Sequence, residues 1–339
     1  MVVTLQQIAD AAGVDKATAS RILSGKGQAA RISQGRIDRV LQIAERLKFR
    51  KNVAAQAMNA GRLGVVDLVL SRGEDTSHTP LSLQLGIHDR LTTAGLRMQM
   101  SWLRDAQFTD ETFLPSFLRE HRSDGLLLNY THHIPERLRD LVQRYGLPTI
   151  WINSQHPYDC VYPDDQQAGL LATQWLIRHG HRRIAYCDYF HDFADPLGVH
   201  YSAVERLHGY RAAMKEAGLK PRVLPQPKAL TTSHLQTLTR EWISSPDRPE
   251  AVVSYGDEFE LIVAESGRLG LQIPGDLAVI SFSDRPLFLA GKKYPRISIP
   301  SYECGAPAVE MLLRKISQPE QRLPPRRVAC AIDDDIGPE

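Results

Sequence analysis

The sequence predicts an all-α head followed by an α/β body of two lobes, and three observations predict it. Apolar residues recur at helical spacing through residues 4–47. From residue 64 onward, strand-like apolar runs alternate with helical stretches, as parallel sheets with crossover helices require. The charge is also unevenly placed. The 339 residues hold 41 Lys and Arg against 39 Asp and Glu. Residues 1–62 hold 11 and 4 of these, a net of +7, which leaves 30 and 35, a net of −5, for residues 63–339. A basic end on a mildly acidic body is the electrostatic footprint of a nucleic-acid contact. A solvated basic surface without a partner fits the charge alone equally well.

At this length one core is too few, and two or three packed units are expected. The N-terminus lacks a basic stretch followed by an apolar run. No stretch approaches the roughly 18 apolar residues that span a bilayer. A cytoplasmic protein without membrane contact is therefore expected. Cys160, Cys187, Cys304 and Cys330 form no CxxC pair, so they are expected as small core residues rather than as a metal or redox site.

The head divides into three short helices. Thr4-Leu5-Gln6-Gln7 fits a capping box, in which the Thr hydroxyl and the Gln side chain satisfy each other's backbone amides. Leu5, Ile8, Ala9 and Ala12 then follow helical spacing, and Gly13 stops the helix because it tolerates the left-handed conformation. Asp15 caps a second helix, Lys16 to Ser24. Ser33 is placed to cap a third, with Ile37, Val40, Leu41, Ala44 and Leu47 on its apolar face. A helix, a short turn holding Gly and a second helix make a helix-turn-helix. If the second helix enters a major groove, Ala19, Ile22 and Leu23 pack inward while Lys16, Ala17, Thr18, Ser20 and Arg21 stay outside. Lys16 and Arg21 can donate to guanine O6 and N7, and Ala17 can touch a thymine methyl. Thr18 and Ser20 are short hydroxyls suited to phosphate. Helical spacing alone fits a plain three-helix bundle as well.

The residue string is more specific. TLQQIADAAGVDKATASRILSG, from Thr4 to Gly25, closely resembles the head of the lac repressor family of bacterial transcription regulators. Gln7 stands where an acid is usual, Asp15 where Ser is usual and Ser24 where Asn is usual. The resemblance implies that Lys16, Ala17 and Arg21 read bases, and Thr4 joins the DNA-binding set. It also implies that residues 50–62 form a hinge helix. In that reading Asn52 caps the helix and Ala55 lets two such helices approach. Met58 takes the place of the usual Leu that wedges into the minor groove. An ordinary amphipathic linker is the plainer alternative.

In the body, strands are expected at 64–70, 98–102, 125–129, 149–153, 183–187, 251–254 and 278–282. Between them helices are expected, such as 81–94, 165–179, 205–217, 257–269 and 303–317. Three further strings match the family: His179 to Ala185, Glu205 to Met214, and Ile273 to Phe282. The resemblance implies a periplasmic-binding-protein-like effector domain over residues 63–339. It implies an N-lobe of about 63–162 and 300–324, and a C-lobe of about 163–299 and 325–339.

Ligands in such sheets bind at strand carboxyl ends. Ser71, His78, Asn153, Arg206, Asp257 and Asp284 are therefore the candidate effector residues. Arg206 matches the family arginine that grips the effector, and its guanidinium can clamp sugar hydroxyls or a carboxylate. A surface salt bridge is its alternative. His78 faces the effector or caps the helix at 81. Asp164 is expected to cap helix 165–179. Asp67 stands mid-strand where Gly is usual, with no functional account.

The expected function is a DNA-binding regulator, a repressor that binds a palindromic operator as a homodimer under control of a small molecule, expected to be a carbohydrate. A solute-binding protein without DNA function is the alternative, and the intact head argues against it. No Walker loop, dinucleotide fingerprint or GxSxG elbow is present. No enzyme activity, catalytic residue, cofactor or metal is expected.

Overall fold

The structure, a computed structural model, describes residues 3–25, 27–50, 62–73, 77–193, 198–228, 230–289 and 291–335. The chain divides into two compact units, residues 1–63 and 64–339. Among the described residues no helix is long and apolar enough to cross a membrane.

The first unit holds α1 (Leu5–Ala12), α2 (Lys16–Leu23) and α3 (Gln34–Arg46). The capping box forms: the Thr4 hydroxyl accepts from the Gln7 amide, and the Gln7 side chain accepts from the Thr4 amide at 2.8 Å. Gly13 ends α1 with φ of +66°. Asp15 caps α2 by accepting from the Thr18 amide at 2.8 Å. Ser33 holds the N-cap position of α3, but its side chain makes no cap bond. Ile8, Ala12, Ile22, Ile37, Val40, Ile43 and Ala44 form one core, with Leu23 and Leu47 packed against it. The segment expected as a hinge, with Asn52, Ala55 and Met58, lies outside the described residues.

The second unit contains two six-stranded sheets. The first joins β1 (Val65–Ser71), β2 (Arg97–Leu103), β3 (Gly125–Asn129), β4 (Thr149–Ile152), β5 (Cys160–Pro163) and β13 (Arg326–Val328), in the order β13-β5-β4-β3-β1-β2. The second joins β6 (Ile184–Cys187), β7 (Arg222–Val223), β8 (Ala251–Ser254), β9 (Ala278–Ser283), β12 (Arg296–Ser298) and β14 (Ala331–Asp333), in the order β14-β12-β9-β8-β6-β7. Within the sheets only β14 runs antiparallel to its neighbour. A separate hairpin, β10 (Leu287–Leu289) with β11 (Lys292–Tyr294), follows β9. The helices are α4 (Leu81–Thr93), α5 (Ser116–Arg119), α6 (Glu136–Tyr145), α7 (Asp165–Arg178), α8 (Tyr201–Glu216), α9 (Thr232–Ser244), α10 (Glu258–Arg268) and α11 (Ser301–Ser317).

The expected lobe boundary needs one correction. Residues 326–328 pair with β5 in the first sheet, so the final crossing to the second lobe falls after Val328 and not at 324/325. The physical reason is that β5 has an open edge, and the returning chain satisfies its ladder before leaving.

Each lobe seats one close helix pair on its sheet. In the first, α4 crosses α11 at Gly86 and Gly305. A Cβ on Gly86 would sit 2.1 Å from the Tyr302 carbonyl oxygen. In the second, α7 crosses α8 at Gly169 and Gly209. A Cβ on Gly169 would sit 2.1 Å from the Arg206 carbonyl oxygen. All four cysteines are buried free thiols.

Candidate functional site

The second helix of the head has one buried face and one exposed face. Ala19 and Ile22 are buried under α1 and α3, while Lys16, Ala17 and Arg21 are exposed. Thr18 and Ser20 are half-buried. The Thr18 hydroxyl donates to Asp15 Oδ2 at 2.6 Å, and these bonds hold the Asp15 carboxyl below the usual range. The hydroxyl expected for phosphate thus also locks the helix start. Thr4 is likewise engaged with Gln7.

In the body, Arg206 is the centre of a built network. The glycine crossing of α7 and α8 sets it up: Asp165 lies one turn before Gly169, whose Cα faces the Arg206 backbone. The Arg206 Nε donates to Asp165 Oδ1 at 2.7 Å, and Nη1 donates to the Tyr255 carbonyl at 3.3 Å. The guanidinium lies between the Tyr255 and Phe282 rings, 4.6 and 4.5 Å from their centroids. Burial opposes its charge, but the Asp165 carboxylate more than compensates, so the guanidinium is held charged. This is a buried, paired cation and not a surface salt bridge.

A hydrogen-bond relay leads from there to the first lobe. The Ser202 hydroxyl bonds the Tyr255 hydroxyl at 2.6 Å and His200 Nδ1 at 2.6 Å. His200 Nε2 lies 2.9 Å from the Asn153 carbonyl, and burial pushes this imidazole down to about 3. A neutral ring facing a carbonyl must carry its proton on Nε2. Asn153 itself adopts φ of +55°. Two more bonds join the lobes: Ser82 Oγ donates to Asp284 Oδ2 at 2.8 Å, and Gln155 Nε2 donates to Glu205 Oε1 at 2.6 Å.

Ser71 is buried at the end of β1, and its hydroxyl donates to Asp105 Oδ2 at 2.6 Å. Tyr130 donates to the other oxygen of the same carboxylate at 2.9 Å. The imidazole of His78 is exposed, and Pro80, not His78, is the N-cap of α4. The His78 carbonyl accepts from Asn129 Nδ2, which also donates to Thr79 Oγ1, both at 2.8 Å. Asp164 caps α7 by accepting from the Gln167 amide at 3.2 Å. Asp257 begins α10 with an exposed side chain. It lines a groove of about 630 Å³ with Tyr189, Phe190 and Leu235, apart from the Arg206 network.

The structure therefore joins Asn153 and Arg206 by one relay and ties Asp284 to the first lobe through Ser82. Ser71 and His78 belong to the first lobe's own bonds. Sequence reasoning missed Asp165, His200, Tyr255, Phe282, Ser82, Asp105 and Tyr130. Tyr255 and Phe282 sit at strand carboxyl ends, where the same rule that found Ser71 applies. Two further acids lie beneath: Asp188 accepts from His191 Nδ1 at 3.0 Å, and Glu258 accepts from the Tyr189 and Gly256 amides at 2.8 Å each. Burial, with Asp188 nearby, pushes Glu258 up to about 7.

Comparison with known proteins adds the following. Residues 4–52 match the family described as bacterial regulatory proteins, lacI family, and residues 173–333 match the periplasmic binding protein-like domain. The chain is 27% identical over 336 residues to the ribose operon repressor of Escherichia coli (strain K12), covering 94% of this chain and 96% of that one. It superposes on the lac repressor dimer bound to operator and the anti-inducer ONPF with a TM-score of 0.72 at 18% identity, over 100% of this chain and 98% of that one. It superposes on the complex of the transcriptional regulator CelR with cellobiose with a TM-score of 0.64 at 21% identity, over 99% and 100%.

Proposed function

The chain belongs to the lacI family of bacterial regulatory proteins, and on that premise we propose that it is an operator-binding repressor, a cytoplasmic homodimer whose grip on DNA is set by a carbohydrate held around Arg206. The observation that carries the DNA part is α2, which buries Ala19 and Ile22 and leaves Lys16, Ala17 and Arg21 outward at groove-reading spacing. Thr4, Thr18 and Ser20 add backbone contacts, and Asn52, Ala55 and Met58 complete the DNA set. Two heads are needed to read a palindrome. The body offers a surface that a second copy would cover. Leu81 keeps 68% of its surface exposed, and Leu85, one turn on, and Tyr302 are also exposed. Contiguous apolar surface of this kind marks association sites.

The effector reading rests on the Arg206 network. Rings on both sides of a charged fork, with the Asp165 carboxylate and the Tyr255 and Ser202 hydroxyls beside it and the Asn153 carbonyl reached from the first lobe, suit a polyhydroxylated ring. In this reading Asn153 and Asp284 stand closest to it through the bonds between the lobes, and Ser71, His78 and Asp257 are the outlying members of the candidate effector set. The names of two relatives point the same way: one represses a ribose operon, and one is bound to cellobiose. A sugar controls the operator only through different affinities for the DNA-bound and free states. The chain works by binding and not by catalysis.

The test is a band shift on genomic fragments at graded salt. Affinity is expected to fall with salt by roughly 0.9 log units per log unit for each phosphate contact. Arg21→Ala is expected to cost about 1–3 kcal/mol at its cognate base and to relax selectivity. Unchanged affinity and selectivity would remove Arg21 from the base-reading set. Calorimetry against a panel of sugars then identifies the effector.

A further inference from the structure

The outer edge of the first sheet carries two arginines outside the Arg206 network. β1 and β2 run parallel with Leu70 opposite Trp102 and Ser71 opposite Leu103. The Arg72 amide continues this ladder by donating to the Leu103 carbonyl at 2.7 Å, which brings Arg72 level with Arg104. Side chains two apart on a strand share a face, so Trp102 and Arg104 project together. Arg72, Trp102, Arg104 and Gln107, the last from the 3₁₀ turn Asp105–Thr109, line a pocket of about 480 Å³. Both arginines are exposed, and neither forms an ion pair among the described residues. Trp102 keeps 55% of its surface exposed.

Like charges opposite one another on neighbouring strands repel, and an open indole face costs hydration free energy. One class of ligand relieves both. Guanidinium forks match the oxygens of a phosphate or carboxylate. The indole face suits the C–H face of a sugar ring, and the Gln107 amide can serve a ring hydroxyl. A neutral sugar leaves the arginine pair unrelieved, and a bare anion leaves the indole open.

We propose that this pocket binds an anionic carbohydrate, a sugar phosphate or a sugar acid, with its charged group between Arg72 and Arg104 and its ring on Trp102. The pocket is lined by first-lobe residues alone and does not use Arg206, so it is a second small-molecule site. Arg72 follows Ser71, and Asp105 follows Arg104, so occupancy acts next to the Ser71–Asp105 bond that ties β1 to the turn.

Isothermal titration of the full-length protein at low salt tests this with glucose 6-phosphate, glucuronate, glucose and inorganic phosphate. At least one anionic sugar is expected to bind about tenfold or more tightly than glucose and inorganic phosphate, and the tighter of the two identifies the charged group. Arg72→Gln and Arg104→Gln, both surface changes, are each expected to weaken that binding about tenfold. Trp102→Ala is expected to weaken it while leaving inorganic phosphate unaffected. The proposal is overturned if neither anionic sugar binds, if both arginine variants keep full affinity for the anionic sugar, or if those variants weaken glucose binding as much. DNA binding is read by band shift on the same preparations, so failure of the repressor reading is seen separately.

Discussion

The two lobes of the body share a plan and differ in chemistry. Each has a six-stranded sheet, and each seats a helix pair that meets at glycine, Gly86 with Gly305 in one and Gly169 with Gly209 in the other. The first lobe ends its central strands in neutral side chains, Ser71 and Asn129, whose bonds hold neighbouring loops. The second surrounds its strand ends with buried ionisable groups: Arg206 with Asp165, Asp188 with His191, and Glu258. Backbone architecture is thus set by packing and repeats readily. Site chemistry is set by the few residues at strand ends and does not repeat.

The contrast can be broken or sharpened by substitution. The largest effect is expected at the charged anchor. Arg206→Met leaves Asp165 buried without its cation and should cost about 3–5 kcal/mol in urea unfolding, with loss of effector binding in calorimetry. A loss under 1 kcal/mol would mean that the pair is not the keystone of the second lobe. Next come the helix crossings. Gly169→Ala and Gly86→Ala each force a Cβ into a carbonyl of the opposing helix, and each should cost about 1–3 kcal/mol. Similar losses keep the shared plan, whereas a silent Gly86→Ala would confine the tight crossing to the second lobe. The neutral anchor should matter less to the whole molecule. Asn129→Ala frees the His78 carbonyl and Thr79 hydroxyl and should cost about 1–2 kcal/mol, with faster hydrogen exchange in residues 77–80.

The smallest effect concerns pH. Glu258 titrates at about 7 in the fold, against an ordinary 4.5. Between those values the unfolded chain has released the proton and the folded chain keeps it, so stability falls as pH rises through this window. Glu258→Gln should flatten that slope in unfolding measured from pH 4.5 to 7.5. Asp67, buried in the first sheet with Gln99 and Ser101 donating to it at 3.1 and 2.8 Å, is also raised by its burial. Asp67→Asn should likewise lessen the fall of stability as pH rises above the ordinary aspartate range. An unchanged slope in both variants would leave the buried acids of the two lobes without a titrating role.

Much of this was readable beforehand where signals are local. The capping box at Thr4, the Gly13 stop and the Asp15 cap depend on residues within a turn of one another, and all three formed. The seven expected strands also formed; most are continuous apolar runs, which suit strands buried on both faces, while the edge strand Arg97–Leu103 alternates and leaves Met100 and Trp102 exposed. Helices Glu136–Tyr145 and Thr232–Ser244 were missed, as were short strands such as Cys160–Pro163 and Arg326–Val328. Short edge elements carry too few residues to show a period, and their pairing depends on the edge they meet. The effector candidates divided along the same line: Arg206 stood out by its motif, but its partners did not.

The sequence by itself determined the head, the alternating body and the place of Arg206, because neighbouring residues set helix ends, strand runs and motifs. Only the tertiary structure decided that Asp165, Tyr255 and Phe282 enclose that arginine, that His200 reaches Asn153, and that Arg72 stands level with Arg104. Those partners lie tens of residues apart, and what unites them is helix crossing and strand register. Both are fixed by close packing across the fold, which no local window of residues encodes.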